Sequence, residues 1–153
     1  MAGTTGVYPV WHNKFKIGTK GAASSSPTDL VTIADLESFS ISLDNNVEEW
    51  TPMETEGWIR RLMTGKSLTI ELSGKRNIGD KGNDYVADLA FKSGADVESL
   101  FEWEFPSGGK VSFKCVINVT NPGGGDSTNT APLEFSVMSN GKPNYTPAPG
   151  AAA

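Results

Sequence analysis

Residues 101–119 read FEWEFPSGGKVSFKCVINV, and this stretch carries the clearest evidence for the fold. Apolar and polar side chains alternate through both of its halves, which is the period of a strand with one buried face. The apolar positions are Phe101, Trp103, Phe105, Val111, Phe113, Cys115, Ile117 and Val119. The stretch therefore predicts two strands that each bury one side.

The segment between these two halves has the composition of a hairpin loop. Pro106-Ser107-Gly108 suits a three-residue loop whose glycine takes a positive φ. The resulting register places Trp103 opposite Val111 and Glu104 opposite Lys110, so apolar partners and opposite charges agree. We expect an antiparallel hairpin with this register.

Three further segments alternate in the same way, namely Leu36–Asn45, Ser67–Lys75 and Leu133–Val137. In the first two, the apolar side is expected to face the core. Its members are Phe39, Ile41, Leu43, Leu68, Ile70 and Leu72. The outward positions are Ser38, Ser40, Ser42, Ser67, Thr69, Glu71 and Ser73.

The elements together predict a mainly β fold. A short helix, capped by Asn83 and ended at Gly94, has an apolar face that can cover the sheet. That face holds Tyr85, Val86, Leu89 and Ala90. Strands joined mostly by hairpins, with one flanking short α-helix, predict a β-sandwich or barrel. The insert Asp44–Lys66 has no clear period and is predicted to be a long inter-strand loop.

The chain of 153 residues is about the size of one domain. Val7–Ile17 is interpreted as an arm or an edge strand, because Pro9 argues against a central strand. We expect residues 1–30 to form this arm and a flexible Gly/Ser-rich loop, and residues 31–141 to form the β-sandwich domain. Residues 142–153 are expected to be a disordered Pro/Ala-rich tail.

Composition and charge exclude several classes of function. The net charge is −5 and no basic run is longer than the pair Arg60-Arg61, so the chain lacks a footprint for a phosphate backbone. Cys115 is the one cysteine, which excludes an intrachain disulfide. The chain shows neither a signal peptide nor a run of roughly 20 apolar residues. We expect a soluble protein made in the cytoplasm, with no membrane partner.

No catalytic or metal-binding constellation is visible in the sequence. Thr64-Gly65-Lys66-Ser67 resembles the end of a phosphate-binding loop, but Arg60 stands where that motif needs its first glycine. His12 is the one histidine, and no Ser and Asp cluster of recognisable spacing accompanies it. Cys115 lies on the apolar side of its strand, where a thiol is buried, protonated and inert. We expect no enzyme, no cofactor and no bound metal.

The insert between the first two alternating strands carries the residue types of a protein interface. Aromatic, Met and Arg side chains are enriched at the buried centres of such surfaces. The candidate interface residues are Trp50, Met53, Trp58, Arg60 and Arg61, together with Trp11 on the arm. The alternative is a loop that folds back on its own core.

Several motifs of the insert and of the segments that follow share a family likeness. The insert contains DNNVEEWTPMETEGW at residues 44–58 and then RRLMTGK at residues 60–66. The later motifs are Gly74-Lys75-Arg76-Asn77, Asn83-Asp84-Tyr85-Val86, Phe101-Glu102-Trp103 and Pro122-Gly123-Gly124-Gly125-Asp126. From Val31 to Lys142 the chain resembles the major tail proteins, or tail tube proteins, of long flexible-tailed bacteriophages.

The resemblance implies a β-sandwich with a flanking helix that assembles with copies of itself. Such proteins join into hexameric rings with a continuous inner β-barrel, and the rings stack into a hollow tube for DNA. Edge strands would then pair between subunits, and the insert and the arm would reach the next ring. Polar groups without cations would let DNA slide through the lumen. The lumen candidates are Ser38, Ser40, Ser42, Thr69, Glu71 and Ser73.

The resemblance also implies partners and a location. The partners are further copies of the chain, other tail proteins (tape measure, terminator and distal tail proteins) and DNA in transit. The location is the virion tail, assembled in the cytoplasm of a host bacterium. Three alternatives stay open: an immunoglobulin-like binding module for the virion surface or adhesion, a tube protein of a contractile tail or secretion machine, and a small hydrolase that uses His12.

Overall fold

A computed structural model describes residues 6–24 and 26–147, the side chain of Pro27 excepted. Eight strands and one α-helix, α1 (Lys81–Asp88), make up the regular structure of these residues, with several short 3-10 turns. The strands are β1 (Lys14–Gly18), β2 (Leu30–Thr32), β3 (Leu36–Trp50), β4 (Arg60–Lys75), β5 (Glu98–Glu104), β6 (Lys110–Asn121), β7 (Pro132–Ser139) and β8 (Asn144–Thr146). The predicted mainly β fold with one flanking short helix is confirmed.

The strands form one antiparallel sheet in the order β2-β1-β5-β6-β7-β4-β3, with β8 paired to β6. The sheet folds over on itself, because the ring of Phe39 on β3 lies 4.8 Å from that of Phe15 and 5.7 Å from that of Trp103. Those two residues belong to β1 and β5, at the other end of the strand order. The result is two layers that enclose a core.

β6 belongs to both layers. Its pairing with β5 runs as far as Val116, opposite Glu98, whereas its pairing with β7 begins at Cys115, opposite Ser139. The front layer contains β3, β4, β7 and the second half of β6. The back layer contains β2, β1, β5, the first half of β6 and β8.

The core is filled by the apolar side of the alternating strands and by the helix. Its fully buried members include Phe101, Phe113, Phe135, Ile17, Ile70, Leu133, Val86, Val137 and Cys115. Burial raises the pKa of the Cys115 thiol to about 12, so the thiol stays protonated. The predicted burial of Cys115 is confirmed.

The hairpin predicted from residues 101–119 forms as expected. Trp103 lies opposite Val111, and Glu104 lies opposite Lys110. Gly108 has a φ of 96°, and its N–H donates to the carbonyl of Phe105 at 3.0 Å. Local turn chemistry and alternation were sufficient to predict this register.

The insert predicted as a long loop is mostly strand. β3 continues to Trp50 and β4 begins at Arg60, so the two form one long hairpin. The register shifts after Asn46, which pairs with Gly65, because the next pair is Val47 with Met63. The extra residue of this bulge reverses the side-chain alternation in β4. The projecting part of the hairpin also has no buried side, so its sequence lacks the two-residue hydrophobic period that would have predicted a strand.

The helix begins earlier than predicted. Asp80 is its N-cap and accepts from the backbone N–H of Asn83 at 3.0 Å, so Asn83 is not the cap. Both residue types can cap, but the amide of Asn83 is wholly buried and bonds elsewhere. α1 ends at Asp88 and a 3-10 turn follows, so Gly94, with a φ of 64°, lies beyond the helix.

The termini are more structured than the sequence suggests. β1 pairs with β2 on one side and β5 on the other, which places Lys14–Gly18 inside the sheet and not in an arm. Pro9 precedes this strand, so its missing N–H does not interrupt the pairing. Asn144–Thr146, in the predicted disordered tail, pairs with the start of β6. Residues 1–5, residue 25 and residues 148–153 lie outside the described residues.

Candidate functional site

The outward side of the front layer is a continuous polar face. Directly paired residues share one side of a sheet. The pairs Ser38 with Ser73, Ser40 with Glu71, and Ser42 with Thr69 therefore bring all six predicted lumen residues together. The face continues across β7 and β6 through matched pairs. We define the polar face as Ser38, Ser40, Ser42, Asp44, Ser67, Thr69, Glu71, Ser73, Asn118, Thr120, Glu134 and Ser136; the apolar pair Val116 and Met138 borders it.

The polar face offers hydroxyl and carboxylate groups and no cation. The hydroxyls of Ser38 and Ser73 lie 2.6 Å apart, and Ser40 donates to a Glu71 oxygen at 3.4 Å. Lys75 lies one position beyond the face on β4, where its ammonium pairs with Glu37 at 3.4 Å. A polyanion that passes over this face therefore meets groups that repel it or bind it weakly.

The front layer has an open edge on each side. β3 pairs only with β4 along its 15 residues, and no backbone hydrogen bond joins its other edge to the part of the chain that the structure describes. On the opposite side, Ile117–Asn121 of β6 pairs with β7 on one edge. The pairing of β6 with β5 ends at Val116, so β5 does not cover the other edge of this segment. Two rows of unused backbone donors and acceptors thus flank the polar face, and such edges can pair with another chain.

The β3–β4 hairpin projects beyond the core and ends in an exposed turn. We call residues 51–59 the hairpin tip. Met53 is 99% exposed and Trp58 is 79% exposed. Behind the tip, the Arg60 guanidinium lies 5.7 Å from the Trp50 ring centroid, and Arg61 Nε lies 3.1 Å from a Glu49 oxygen.

The projection brings together five of the six predicted interface residues, Trp50, Met53, Trp58, Arg60 and Arg61. Since both strands and the tip extend away from the core, the alternative of a loop folded back on its own core does not match the structure. Trp11 lies elsewhere, in a 3-10 turn beside the β5–β6 loop, with its ring 4.2 Å from that of His12. The sixth candidate therefore belongs to a separate surface.

An apolar groove at the base of the hairpin was not predicted. We call it the base groove; it is lined by Ile41, Leu43, Leu68, Trp103, Val111 and Pro143, with Lys66 and Lys142 among its polar residues. Ile41 and Leu43 were expected to be buried, but Leu43 is 56% exposed. Alternation identified their side of the strand correctly. It could not show that the opposite layer ends before it covers them.

The remaining chemical candidates stay dispersed. Thr64-Gly65-Lys66-Ser67 lies within β4 and pairs with β3, so no helix follows it as a phosphate-binding loop requires. Over residues 6–24 and 26–147, no three Cys, His, Asp or Glu side chains are grouped as a metal site. The helix in these ranges is also too short and too polar to cross a bilayer.

No family model and no curated protein matches this sequence. Solved structures do match its fold. A chain from the tail of an empty gene transfer agent particle, determined by helical refinement with C6 symmetry, has a TM-score of 0.70 at 19% identity and covers 92% of this chain and 100% of its own. The chain has the fold of a tail component.

Chains from two further particles have the same fold. A chain of the native gene transfer agent virion has a TM-score of 0.67 at 19% identity, over 92% of this chain and 100% of its own. A chain from the sheath/tube terminator of an extracellular contractile injection system in the extended state has a TM-score of 0.61 at 13% identity, over 94% and 99%. The fold therefore occurs in gene transfer agent particles and in a contractile injection system.

Proposed function

We propose that this chain is the tail tube protein of a long-tailed bacteriophage or a similar particle, and that its polymer is the conduit for DNA. The observation that carries the proposal is the front layer, which combines a cation-free polar face with an open strand edge on each side. The fold shared with tail components supports it. The proposed role is structural, without catalysis or a cofactor.

The open edges define how a ring would close. β3 of one copy pairs with Ile117–Asn121 of the next, a heterologous contact that closes after a full turn. Repetition of this contact joins the front layers into one inner barrel, with every polar face on its inner side. The C6 symmetry of one structure with this fold supports a ring of six.

The assembled tail supplies the other partners and the location. Tape measure, terminator and distal tail proteins would bind the ends and the bore of the tube, and DNA would pass through without stable binding. Assembly would take place in the cytoplasm of a host bacterium, before the tail becomes part of the virion. The same fold occurs in a contractile injection system, so imaging of whole particles for a sheath distinguishes the two kinds of tail.

Negative-stain imaging and sedimentation of the purified, tag-free chain at high concentration test the proposal. Rings or tubes are expected, because each copy leaves both edges open. A chain that stays monomeric under these conditions, even with the other tail components present, overturns it. The competing immunoglobulin-like binding module predicts that monomer.

A further inference from the structure

We propose that the hairpin tip of one copy docks in the base groove of another copy and that this contact stacks the rings. The inference rests on the proposed function, because its occupant is a second copy of the chain. It names the surface that receives the tip.

The tip cannot bury its apolar side chains within its own chain. Trp58 and Met53 are exposed, although their removal from water would be favourable. The tip and the groove lie at opposite ends of the hairpin: from Leu43 to Trp50 the strand rises roughly 23 Å at about 3.3 Å per residue. A stiff two-stranded hairpin holds them apart, so only another molecule can join them.

The two surfaces are complementary in chemistry. The tip reads TPMETEGWI at residues 51–59, with two carboxylates, Glu54 and Glu56, and no Lys or Arg. The residues that line the groove include two ammonium groups, Lys66 and Lys142, and no Asp or Glu. Apolar side chains therefore meet apolar side chains at the centre, and carboxylates meet ammonium groups at the rim, which is the arrangement of a specific interface.

The geometry also makes the contact directional. Each docking event leaves one tip unused on one side of the assembly and one groove unused on the other. Repetition of the tip-and-groove contact therefore builds an open-ended stack along the direction of the hairpin. The contact between β3 and Ile117–Asn121 of the next copy instead closes each ring. The first and last rings present opposite surfaces, acidic tips at one end and basic apolar grooves at the other. Different end proteins can recognise these two surfaces.

Disulfide trapping tests the contact. Met53→Cys and Pro143→Cys proteins are assembled together, oxidised and analysed on a non-reducing gel. A cross-linked dimer is expected in the mixture and not in either protein alone. The matched control replaces Pro143→Cys by Asp88→Cys, which places an exposed thiol at the end of α1. The buried Cys115 is present in every sample and stays protonated.

The outcomes separate the two proposals. Tubes without a cross-link above the Asp88→Cys control overturn the tip-and-groove contact and leave the tube function standing. The absence of any ring or tube from the unmodified chain overturns both.

Charge reversal provides an independent test if a cysteine variant fails to fold. Glu54→Lys with Glu56→Lys should abolish tubes and retain rings, because four ammonium groups then meet at the rim. Adding Lys66→Glu and Lys142→Glu on the same chain should restore tubes. Full-length tubes from the first variant, or no recovery in the second while its rings persist, contradict the proposal.

Discussion

The amide of Asn83 joins the helix to two other segments at the residue scale. It accepts from the N–H of Asn77 and from Arg76, both at 3.0 Å, and donates to the carbonyls of Ala34 and Lys75 at 3.1 and 2.9 Å. All its hydrogen-bonding capacity is used in a fully buried site. A polar residue that suggests a cap from its place in the sequence is thus a structural connector.

Asn83→Ala should lower the free energy of unfolding by about 2–4 kcal/mol, because it leaves several buried groups without partners. Urea denaturation of dilute, monomeric protein measures the change. Asn129→Ala, in an exposed loop, is the matched control and should stay within about 0.5 kcal/mol of the unmodified chain. Equal effects for the two variants would contradict the assignment.

The Cys115 thiol should make stability depend on pH under alkaline conditions. In the unfolded chain the thiol has its ordinary pKa of 9.0, whereas burial raises its pKa to about 12 in the fold. Unfolding therefore releases a proton between these values, and the free energy of unfolding falls as the pH rises. From pH 8 to pH 10.5 the unmodified chain should lose about 2 kcal/mol more than a Cys115→Val variant. Parallel urea midpoints for both proteins would contradict this.

At the element scale, the β3–β4 hairpin has two parts: one belongs to the front layer and the other projects from it. Its first part completes the front layer, where Phe39, Ile70 and Leu72 pack in or against the core. Its second part projects and keeps its backbone bonds within the hairpin. The bulge after Asn46 marks the change between the two parts. A strand that is half core and half projection has no single hydrophobic period.

The open edge of β3 can be tested with a pair of proline variants, Ser40→Pro and Ile41→Pro. Consecutive backbone N–H groups on a strand point to opposite sides, so one proline removes a bond to β4 and the other removes a donor from the open edge. The variant with the smaller loss in urea denaturation identifies the edge position. That variant should fold and fail to form rings; rings from it would exclude β3 as the ring contact.

At the scale of the whole molecule, the polar face matters because every copy in a ring would present it to the same bore. The weak repulsion between the polar face of one subunit and DNA is repeated around and along the tube. The summed repulsion of a polyanion from the wall of the bore is therefore large. Asp44, Glu71 and Glu134 supply the negative charge. Small hydroxyls fill the rows between them.

Ser40→Lys combined with Ser42→Lys should slow the passage of DNA, because each added ammonium group can bind a phosphate. The rate of genome release from assembled particles measures the effect, and raised salt should partly restore the rate. The matched control is Ser127→Lys with Asn129→Lys, which adds equal charge on an exposed loop. Unchanged release from the first variant would contradict the lumen assignment.

The amino-acid sequence was sufficient to predict the local strand pairings. Alternation and the Pro106-Ser107-Gly108 turn set the register of one hairpin, and alternation placed six polar side chains on one face. Both signals are local, because a strand repeats every two residues and a tight turn leaves few registers. The same signals placed Cys115 in the core.

The ends of the layers and the open strand edges became visible only in the folded chain. β6 is divided between two layers, the projecting hairpin replaces a loop, Ile41 and Leu43 stay half covered, and Asn83 bonds to two other segments. Each outcome depends on contacts between residues far apart in the chain, which no short period records. An open edge or an uncovered groove is the absence of a neighbour, and physically that is a property of the whole packing.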